Sequence, residues 1–407
     1  MLYFRLGFRN LWRNPLRSLI SMAGIAGSVF LCCYLANIKI ASYQSMIDMG
    51  VEGGPGHLVL YHPKWLIDRE VHDLIPIDEA LKVTEALKPF SKRSSHRLYI
   101  PALAQSPRNS EGVMVIGMEL QKEILNHPLL QQKVLIAGTW DFLEGKQDAL
   151  IGSGLAKKMG LGLGKKFVLM VQDKQNEIHS QLFRIQGIIE TGLKDMDRNT
   201  VILPLKNAQS LLKIKDQIHE TAILLNSIDD LQEAIKIAQS HTHHSLVYPW
   251  DEAIPQLVTM INLDKINGIV LAVFLFLIVG IGTVNSLCMS VMERTREFGV
   301  MRAIGTRQEK ISLMVVMEGL VLSLLGIVIG LIFCTLLSLY TQKYGIDLSS
   351  QLKNIEIGNI LLKPIIYTGW NFKAMGLISF SMLILGLFGS LYPAILANRV
   401  SPSEAMR

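Results

Sequence analysis

The chain is poor in cysteine, with four in 407 residues. All four lie inside long apolar runs, at Cys32, Cys33, Cys288 and Cys334. The segment 42–262 therefore has no thiol from which to build a disulfide, and no cysteine spacing typical of a metal site occurs. We interpret the four thiols as apolar packing groups.

Motifs of common catalytic sites are also missing. In the glycine-rich stretch 150–167, Lys166 follows Gly164-Lys165 and Met159 stands where a phosphate-binding loop needs its first glycine. This stretch predicts a strand, a helix and a glycine turn. Ser153 is not in a nucleophile elbow, because Ile151 occupies a required glycine position, and no His-Glu-x-x-His occurs. We predict no catalytic residue in this chain.

Histidine is confined to one part of the chain. All ten histidines fall within residues 42–262, and His241, His243 and His244 are clustered. Imidazoles bind transition metals, but this trio follows a helical pattern and precedes a Tyr-Pro-Trp turn at 248–250, so a solvated loop is the preferred interpretation. We predict no metal site.

Charged residues make up 18% of the chain and apolar residues 50%, so the apolar residues are expected in blocks. Four blocks can cross a hydrocarbon core, which takes roughly 20 helical residues: Leu19–Ala41, Ile266–Met292, Leu313–Tyr340 and Met375–Ala397. The first is too long for a signal-peptide core and predicts a retained anchor.

Basic residues near these blocks predict their orientation. They are Arg5, Arg9, Arg13 and Arg17 before the first block, Arg294, Arg296, Arg302, Arg307 and Lys310 between the second and third, and Arg399 and Arg407 after the fourth. Both termini should be cytoplasmic, and the segment 42–262 should lie on the far side of the membrane. The net charge of +6 is then a signal of topology and implies no nucleic acid.

The segment 42–262 mixes two periodicities. Short β-like runs occur at 57–61, 112–117, 167–172, 182–189, 200–203 and 221–225, and helical patterns at 77–87, 206–212 and 229–240. The predicted fold is a membrane α-helical protein of four transmembrane helices with a large extracytoplasmic α+β domain between helices 1 and 2. The expected parts are an amphipathic cytoplasmic helix (1–17), helix 1 (18–41), the external domain (42–262), helix 2 (266–292), a cytoplasmic segment (293–310), helix 3 (313–340), an external loop (341–373), helix 4 (375–397) and a cytoplasmic tail (398–407).

Two charged segments border the apolar blocks. Arg5, Arg9, Arg13 and Arg17 recur every four residues, which predicts an interfacial helix that bends at Asn14-Pro15, although these arginines could serve topology alone. The segment 293–307 is charged and compatible with a helix, which favours contact with a soluble partner. Glu318, near the start of the third block, favours a contact between helices or a coupling contact over a proton relay.

Glycines inside the blocks allow helices to approach closely. They are Gly280 and Gly282 in the second block, Gly326 and Gly330 in the third, and Gly386 and Gly389 in the fourth. Packing within one bundle is the preferred interpretation, and a seam between two chains is the alternative.

This layout resembles the four-span ABC permeases of the MacB, FtsX and lipoprotein-releasing LolC/LolE group, over nearly the whole chain. Three stretches carry the resemblance: Phe8–Ser18 is similar to the N-terminal amphipathic helix of that group, Val291–Gly305 to its coupling segment, and Leu391–Ala405 to its C-terminal exit.

The resemblance implies that the coupling segment binds a separate cytoplasmic ATPase dimer, which would hold ATP and Mg²⁺, and that this chain binds no cofactor. The implied coupling residues are Glu293, Arg294, Arg296, Glu297, Phe298, Gly299, Arg302 and Gly305. The expected anchors in an apolar groove of the ATPase are Phe298, Val300, Met301 and Ile304. Glu318, Arg9 and Arg13 are the expected coupling residues at the membrane.

A second permease chain, identical or paralogous, is also implied, as is a place in the bacterial inner membrane with the segment 42–262 in the periplasm. The long external loop 341–373 favours release of lipoproteins or lipids from the inner membrane toward the outer membrane, with a periplasmic carrier. Efflux of the MacB type through a periplasmic adaptor stays open, and so does an FtsX-type role that activates a cell-wall hydrolase without transport.

Overall fold

The computed structural model describes residues 9, 12–120, 123, 134–142, 146–173, 177–347 and 365–398. Most of the expected helix 1–17, the tail after residue 398 and most of the loop 341–373 lie outside the described residues. Within the described residues the chain forms a helical unit, of residues 12–44, 261–347 and 365–398, and a sheet unit, of residues 45–260.

The described helices and strands are as follows. The helices are α1 (Pro15–Glu52), α2 (Trp65–Asp68), α3 (Ile77–Ala86), α4 (Ser153–Met159), α5 (Lys194–Asn199), α6 (Leu205–Leu211), α7 (Leu231–Ser240), α8 (Trp250–Ala253), α9 (Pro255–Glu293), α10 (Thr295–Ala303), α11 (Gln308–Tyr344) and α12 (Phe372–Asn398). The strands are β1 (Leu58–Tyr61), β2 (Ile75–Pro76), β3 (Ser91–Gln105), β4 (Ser110–Met118), β5 (Leu135–Gly138), β6 (Asp148–Gly152), β7 (Lys166–Gln172), β8 (Ile178–Ile189), β9 (Thr200–Pro204), β10 (Gln217–Ile218), β11 (Glu220–Leu225), β12 (Leu246–Pro249), β13 (Ile346–Asp347) and β14 (Ile365–Ile366).

Four helices are long and apolar enough to cross a membrane: α1, α9, α11 and α12. They contain the four apolar blocks read from the sequence. With 38 residues, α1 is about 57 Å long at a rise of about 1.5 Å per residue, whereas a hydrocarbon core is about 30 Å thick. Accordingly α1 continues to Glu52, beyond the apolar block, and α9 begins at Pro255, before its own.

Small residues let α11 approach α1 closely. A Cβ atom on Gly326 would lie 2.6 Å from Cγ2 of Ile25, and one on Gly330 would lie 2.6 Å from the backbone oxygen of Ala26. Gly280 of α9 likewise faces Leu385 of α12, whereas a Cβ on Gly282 would meet nothing within 4 Å. The glycine pair of α11 therefore serves packing within the chain.

A buried polar residue ties three parts of the helical unit together. The side chain of Asn37 in α1 is fully buried and donates to Oγ of Ser338 in α11 at 3.1 Å. Its Oδ1 accepts a hydrogen bond from the backbone N–H of Asn371 at 3.0 Å. Each polar atom has a partner, which removes most of the cost of burying an amide in an apolar bundle.

The sheet unit is built on one mixed sheet of ten strands. Its order is β12-β1-β11-β3-β4-β9-β6-β8-β5, with β7 paired to both β3 and β8. The pairs β4–β9 and β6–β8 are parallel, and the other ladders of this sheet are antiparallel. Its largest fully buried side chains include Phe167 and Phe183, which face each other across β7 and β8. The α+β prediction is confirmed.

Most predicted elements of this unit are present. The glycine-rich stretch forms a strand, a helix and a turn, as predicted: β6 leads into α4, which ends at the left-handed Gly160. The predicted Tyr-Pro-Trp turn is wrong, because Tyr248 and Pro249 belong to β12, and Trp250 begins α8. Pairing of β12 with β1 supplies the hydrogen bonds that make this segment a strand.

The 15-residue strand β3 has no counterpart among the predicted elements, because its first half is rich in charged and polar residues. Its Arg97 is nevertheless buried, because Nε donates to Glu123 at 2.9 Å and Nη1 to Glu220 at 3.0 Å. Burial alone would lower the pKa of Arg97, but these two carboxylates raise it well above its usual value. Ion pairing thus allows a charged sequence to form a central strand.

Candidate functional site

The charged segment between the second and third spans folds as α10. Its end is defined by Gly305, whose φ of +92° lies in the left-handed region that favours glycine. The N–H of Gly305 donates to the oxygen of Arg302 at 3.0 Å, and the N–H of Thr306 donates to Met301 at 2.9 Å. This paired hydrogen bonding is a Schellman motif, which stops α10 and turns the chain toward α11.

Two glutamates of this segment contact the residues around the start of α1. Nη1 of Arg13 lies 2.6 Å from both carboxylate oxygens of Glu297. Arg17 forms a bidentate ion pair with Glu293, in which Nη1 and Nη2 donate to the two carboxylate oxygens at 2.9 and 2.5 Å. Nδ2 of Asn14 donates to the same carboxylate at 2.6 Å. The hydrogen bond and charge of Arg13 lower the pKa of Glu297, although burial opposes the shift.

Arg294 connects α10 to the interior of the bundle. Its Nη1 donates to Oε2 of Glu318 at 3.0 Å, and its Nε donates to Glu297 at 3.3 Å. Oγ of Ser290 donates to the other oxygen of Glu318 at 3.0 Å, so the buried carboxylate is satisfied on both sides. Glu318 therefore makes a contact between helices.

The structure places two of the expected coupling residues in the core of this chain. Phe298 is 1% exposed and packs with Val291, Ile311, Val315, Ala394 and Ala397, and Gly299 is buried beside it. The guanidinium of Arg294 lies 5.2 Å from the centre of the Phe298 ring. In contrast to the expectation, Phe298 has no free surface with which to anchor in a partner's groove.

The opposite face of α10 is exposed. It carries Arg296 and Val300, which is 48% exposed. Ile304, directly after the helix, is 77% exposed, and Arg307 follows after the turn. Of the remaining expected residues, Arg302 donates to the backbone oxygen of Asn398 at 3.2 Å, and Arg9 is exposed. The segment therefore has a face packed on its own chain and a face that combines basic and apolar groups.

A polar cavity of ≈ 220 Å³ lies beside these contacts. It is lined by Arg13, Asn14, Arg17, Ser18, Ser286, Leu287, Ser290, Glu293, Arg294, Glu297, Glu318 and Leu322. Of the residues in contact here, sequence reasoning did not include Asn14, Arg17 and Ser290 among the site residues. The usable signal was the spacing, because Arg13 and Arg17 are four residues apart, as are Glu293 and Glu297.

The histidine trio forms a loop that binds a carboxylate of its own chain. The backbone N–H groups of His243 and His244 donate to Glu79 at 2.9 to 3.2 Å, and Ser245 donates from its backbone and its hydroxyl. Among the described residues, the group with ligand atoms close enough for a metal lies elsewhere, at Asp173, Glu177 and His179. There Nε2 of His179 is 2.7 Å from Asp173, a hydrogen-bonding distance.

Two protein-family models match this chain, one over its N-terminal part and one over its C-terminal part. Residues 18–240, more than half of the chain, match the MacB-like periplasmic core domain. Residues 269–402 match the FtsX-like permease C-terminal domain, which contains α10 and Glu318. The chain belongs to the MacB/FtsX/LolC group of ABC transporter permeases. This permease is a multi-pass membrane protein with four apolar helices and a periplasmic-core-type sheet unit.

Individual relatives include lipoprotein-releasing proteins and a macrolide export protein. The permease is 23% identical to the lipoprotein-releasing system transmembrane protein LolC of Xylella fastidiosa (strain 9a5c), over 75% of each chain. It is 24% identical to the lipoprotein-releasing system transmembrane protein LolE of Haemophilus influenzae, over 97% of this chain and 95% of the relative. It is 26% identical to the macrolide export ATP-binding/permease protein MacB of Bdellovibrio bacteriovorus, over 98% of this chain and 61% of that protein.

Proposed function

We propose that this permease works with a separate cytoplasmic ATPase dimer, which binds ATP and Mg²⁺ and moves α10. The observation that carries the proposal is the exposed face of α10, where Arg296, Val300 and Ile304 lie together while Phe298 holds the opposite face in the chain's own core. Exposed apolar side chains bordered by cations fit an apolar groove with an acidic rim. The ATPase is expected to offer such a groove.

The proposed topology puts both termini and α10 in the cytoplasm and the sheet unit in the periplasm, with the four long helices in the inner membrane. It is supported by the contacts of Arg13 and Arg17 with Glu297 and Glu293, which require the start of α1 and the α9–α11 connection to lie at the same end of the bundle. Basic residues collect at this end, in accord with the positive-inside rule.

A second permease chain, identical or paralogous, completes the proposed transporter. The apolar span of α9 has the smallest buried share of the four spans within one chain, which leaves surface for a neighbouring helix. Two copies of α10 would then approach each other when ATP closes the ATPase dimer, and the spans would carry this movement to the sheet units.

For the cargo, we propose lipoproteins or lipids that the transporter extracts from the inner membrane toward the outer membrane, with a periplasmic carrier. The match to LolE over 97% of this chain and 95% of the relative supports this branch. The match of the sheet unit to the MacB-like core domain supports the second candidate, efflux through a periplasmic adaptor. The FtsX-like match supports a third, activation of a cell-wall hydrolase without transport.

Purification of the tagged chain from native membranes in mild detergent, followed by mass spectrometry of everything bound, tests these proposals. An ATPase together with acylated peptides is the expected result. An ATPase with a periplasmic adaptor would replace the cargo proposal by efflux, and recovery of a cell-wall hydrolase would replace it by regulation. Absence of any ATPase, even after crosslinking through residues 293–307, would contradict the permease mechanism.

The docking face is tested by the double variant Arg296→Glu/Ile304→Asp. Reversal of a charge and introduction of a carboxylate at an apolar contact should abolish co-purification of the ATPase without loss of membrane insertion. The matched control is Ile178→Asp, because Ile178 is 75% exposed in the sheet unit. Full ATPase recovery with the double variant would show that this face is not the docking surface.

A further inference from the structure

Two pairs of residues, each four apart in sequence, face each other at the end of the bundle. Arg13 contacts Glu297 and Arg17 contacts Glu293. The two segments are therefore paired in antiparallel order. We propose that these four residues form a clasp that makes residues 13–17 a second arm of the coupling element and moves α1 together with α10. This inference rests on the proposed function of α10.

The clasp contributes little to stability, since surface ion pairs add little to the free energy of folding and are screened by salt. Its geometry favours alignment instead. The two hydrogen bonds between Arg17 and Glu293 fix the orientation of the guanidinium against the carboxylate, as a single contact would not. Asn14 adds a third hydrogen bond to the same carboxylate, so Glu293 is held by the residue before Pro15 and by Arg17 in the first turn of α1.

The clasp is continuous with the contacts inside the bundle. Glu297 accepts from Arg13 and from Arg294, and Arg294 also donates to Glu318 in α11. A displacement of α10 therefore pulls on Arg13, just before α1, through Glu297 and on α11 through Arg294. Arg17 in α1 holds Glu293, the last residue of α9, directly before α10. Arginines that served topology alone would need no acidic partners, and their charge would act wherever they stood near the span.

Charge reversal tests the clasp in the full chain with its co-purified ATPase in lipid nanodiscs. Arg17→Glu should reduce the stimulation of ATP hydrolysis by the permease about 5-fold or more with ATPase binding unchanged, and Glu293→Arg should reduce the stimulation by a similar factor. The double variant Arg17→Glu/Glu293→Arg should restore it. Lys158→Glu is the matched control, because it reverses the charge of one partner in the ion pair between Lys158 and Glu111 of the sheet unit.

A reversible crosslink gives the decisive comparison. In Asn14→Cys/Glu293→Cys the ion pair is lost, so stimulation should be low under reducing conditions. Oxidation forms a disulfide between the two thiols, with diamide as the oxidant, and replaces the clasp by a covalent bond. Stimulation should then recover, and dithiothreitol should reverse the recovery.

The outcomes separate this inference from the proposed function. Equal stimulation in the oxidised and reduced forms, or full activity of both single charge reversals, would overturn the clasp while α10 remained the docking site. Failure of the wild-type chain to retain an ATPase would overturn the proposed function, and with it the role of the clasp.

Discussion

Arg294 and Glu318 are joined by a hydrogen bond of 3.0 Å, with 13% and 8% of their side chains exposed. Both residues are among those expected from the sequence to act in coupling, Arg294 in the coupling segment and Glu318 at the membrane. In the structure they contact each other, and the charged segment is thereby fastened to the third span. The same arginine covers the ring of Phe298, which lies in the core beneath it.

Removal of one partner of this pair should be costly. We expect Arg294→Met to lower the stability of the protein by about 3 kcal/mol, because it leaves the carboxylate of Glu318 buried without its counter-ion. The double variant Arg294→Met/Glu318→Met should be less destabilised than the sum of the single variants. Thermal unfolding in detergent measures both effects, with Arg296→Met as the exposed control. Additive losses would show that the two side chains do not interact.

Close packing of α11 on α1 gives a second prediction. Gly330→Val should destabilise the bundle by about 1–3 kcal/mol, because a Cβ at Gly330 would lie 2.6 Å from the backbone oxygen of Ala26. Gly282→Val is the matched control in another span, since a Cβ there meets nothing within 4 Å. Melting temperatures of the two variants in the same detergent provide the comparison. Equal melting temperatures would contradict the close approach.

The third prediction concerns the buried charges of the sheet unit. Arg97→Met should cost about 3–5 kcal/mol, because it removes the cation that Glu123 and Glu220 share. Arg184→Met, at an exposed position of β8, should be nearly neutral. Denaturant unfolding of the full chain distinguishes them, and a loss at Arg97 as small as that at Arg184 would refute the buried network.

The fourth prediction concerns pH. Burial would raise the pKa of Glu79, but the Ser245 hydroxyl and the N–H groups of His243, His244 and Ser245 lower it below its ordinary value of 4.5. A depressed carboxyl pKa stabilises the fold above the unfolded pKa, and this contribution is lost as pH falls through the folded value. The melting temperature of wild type should therefore exceed that of Glu79→Gln at pH 6, and the difference should shrink toward pH 3. A constant difference would exclude the ionised carboxylate as its source.

Elements whose pattern lies within one stretch of the chain are predictable from the sequence. Apolar blocks of span length lie within α1, α9, α11 and α12, and the alternation of residues 167–172 and 182–189 corresponds to β7 and β8. These patterns are read within one element, because burial of one face or of a whole span imposes a period on consecutive residues. The glycine stretch before β7 was readable for the same reason.

Predictions weakened where a residue's partner is distant in sequence. Strand β3 was missed because the charges of Arg97 are compensated by Glu123 and Glu220, which no local pattern reveals. Phe298 was expected to face a partner, but α10 has nine residues, and its apolar side chains lie on both of its faces. Its periodicity alone does not say which face belongs to the chain's own core.

The sequence by itself determined the four apolar helices, the mixed α+β unit and the charged segment between the second and third spans. The reason is that burial of one face, or of a whole span, requires apolar residues at regular positions along the chain. The tertiary structure decided which charges meet: Arg13 with Glu297 and Arg17 with Glu293, across 284 and 276 positions of the chain. It also decided that Phe298 packs inward while Val300 and Ile304 face outward. Charge pairing acts through space, so a four-residue spacing can mark the charged residues but only the folded chain shows which of them meet.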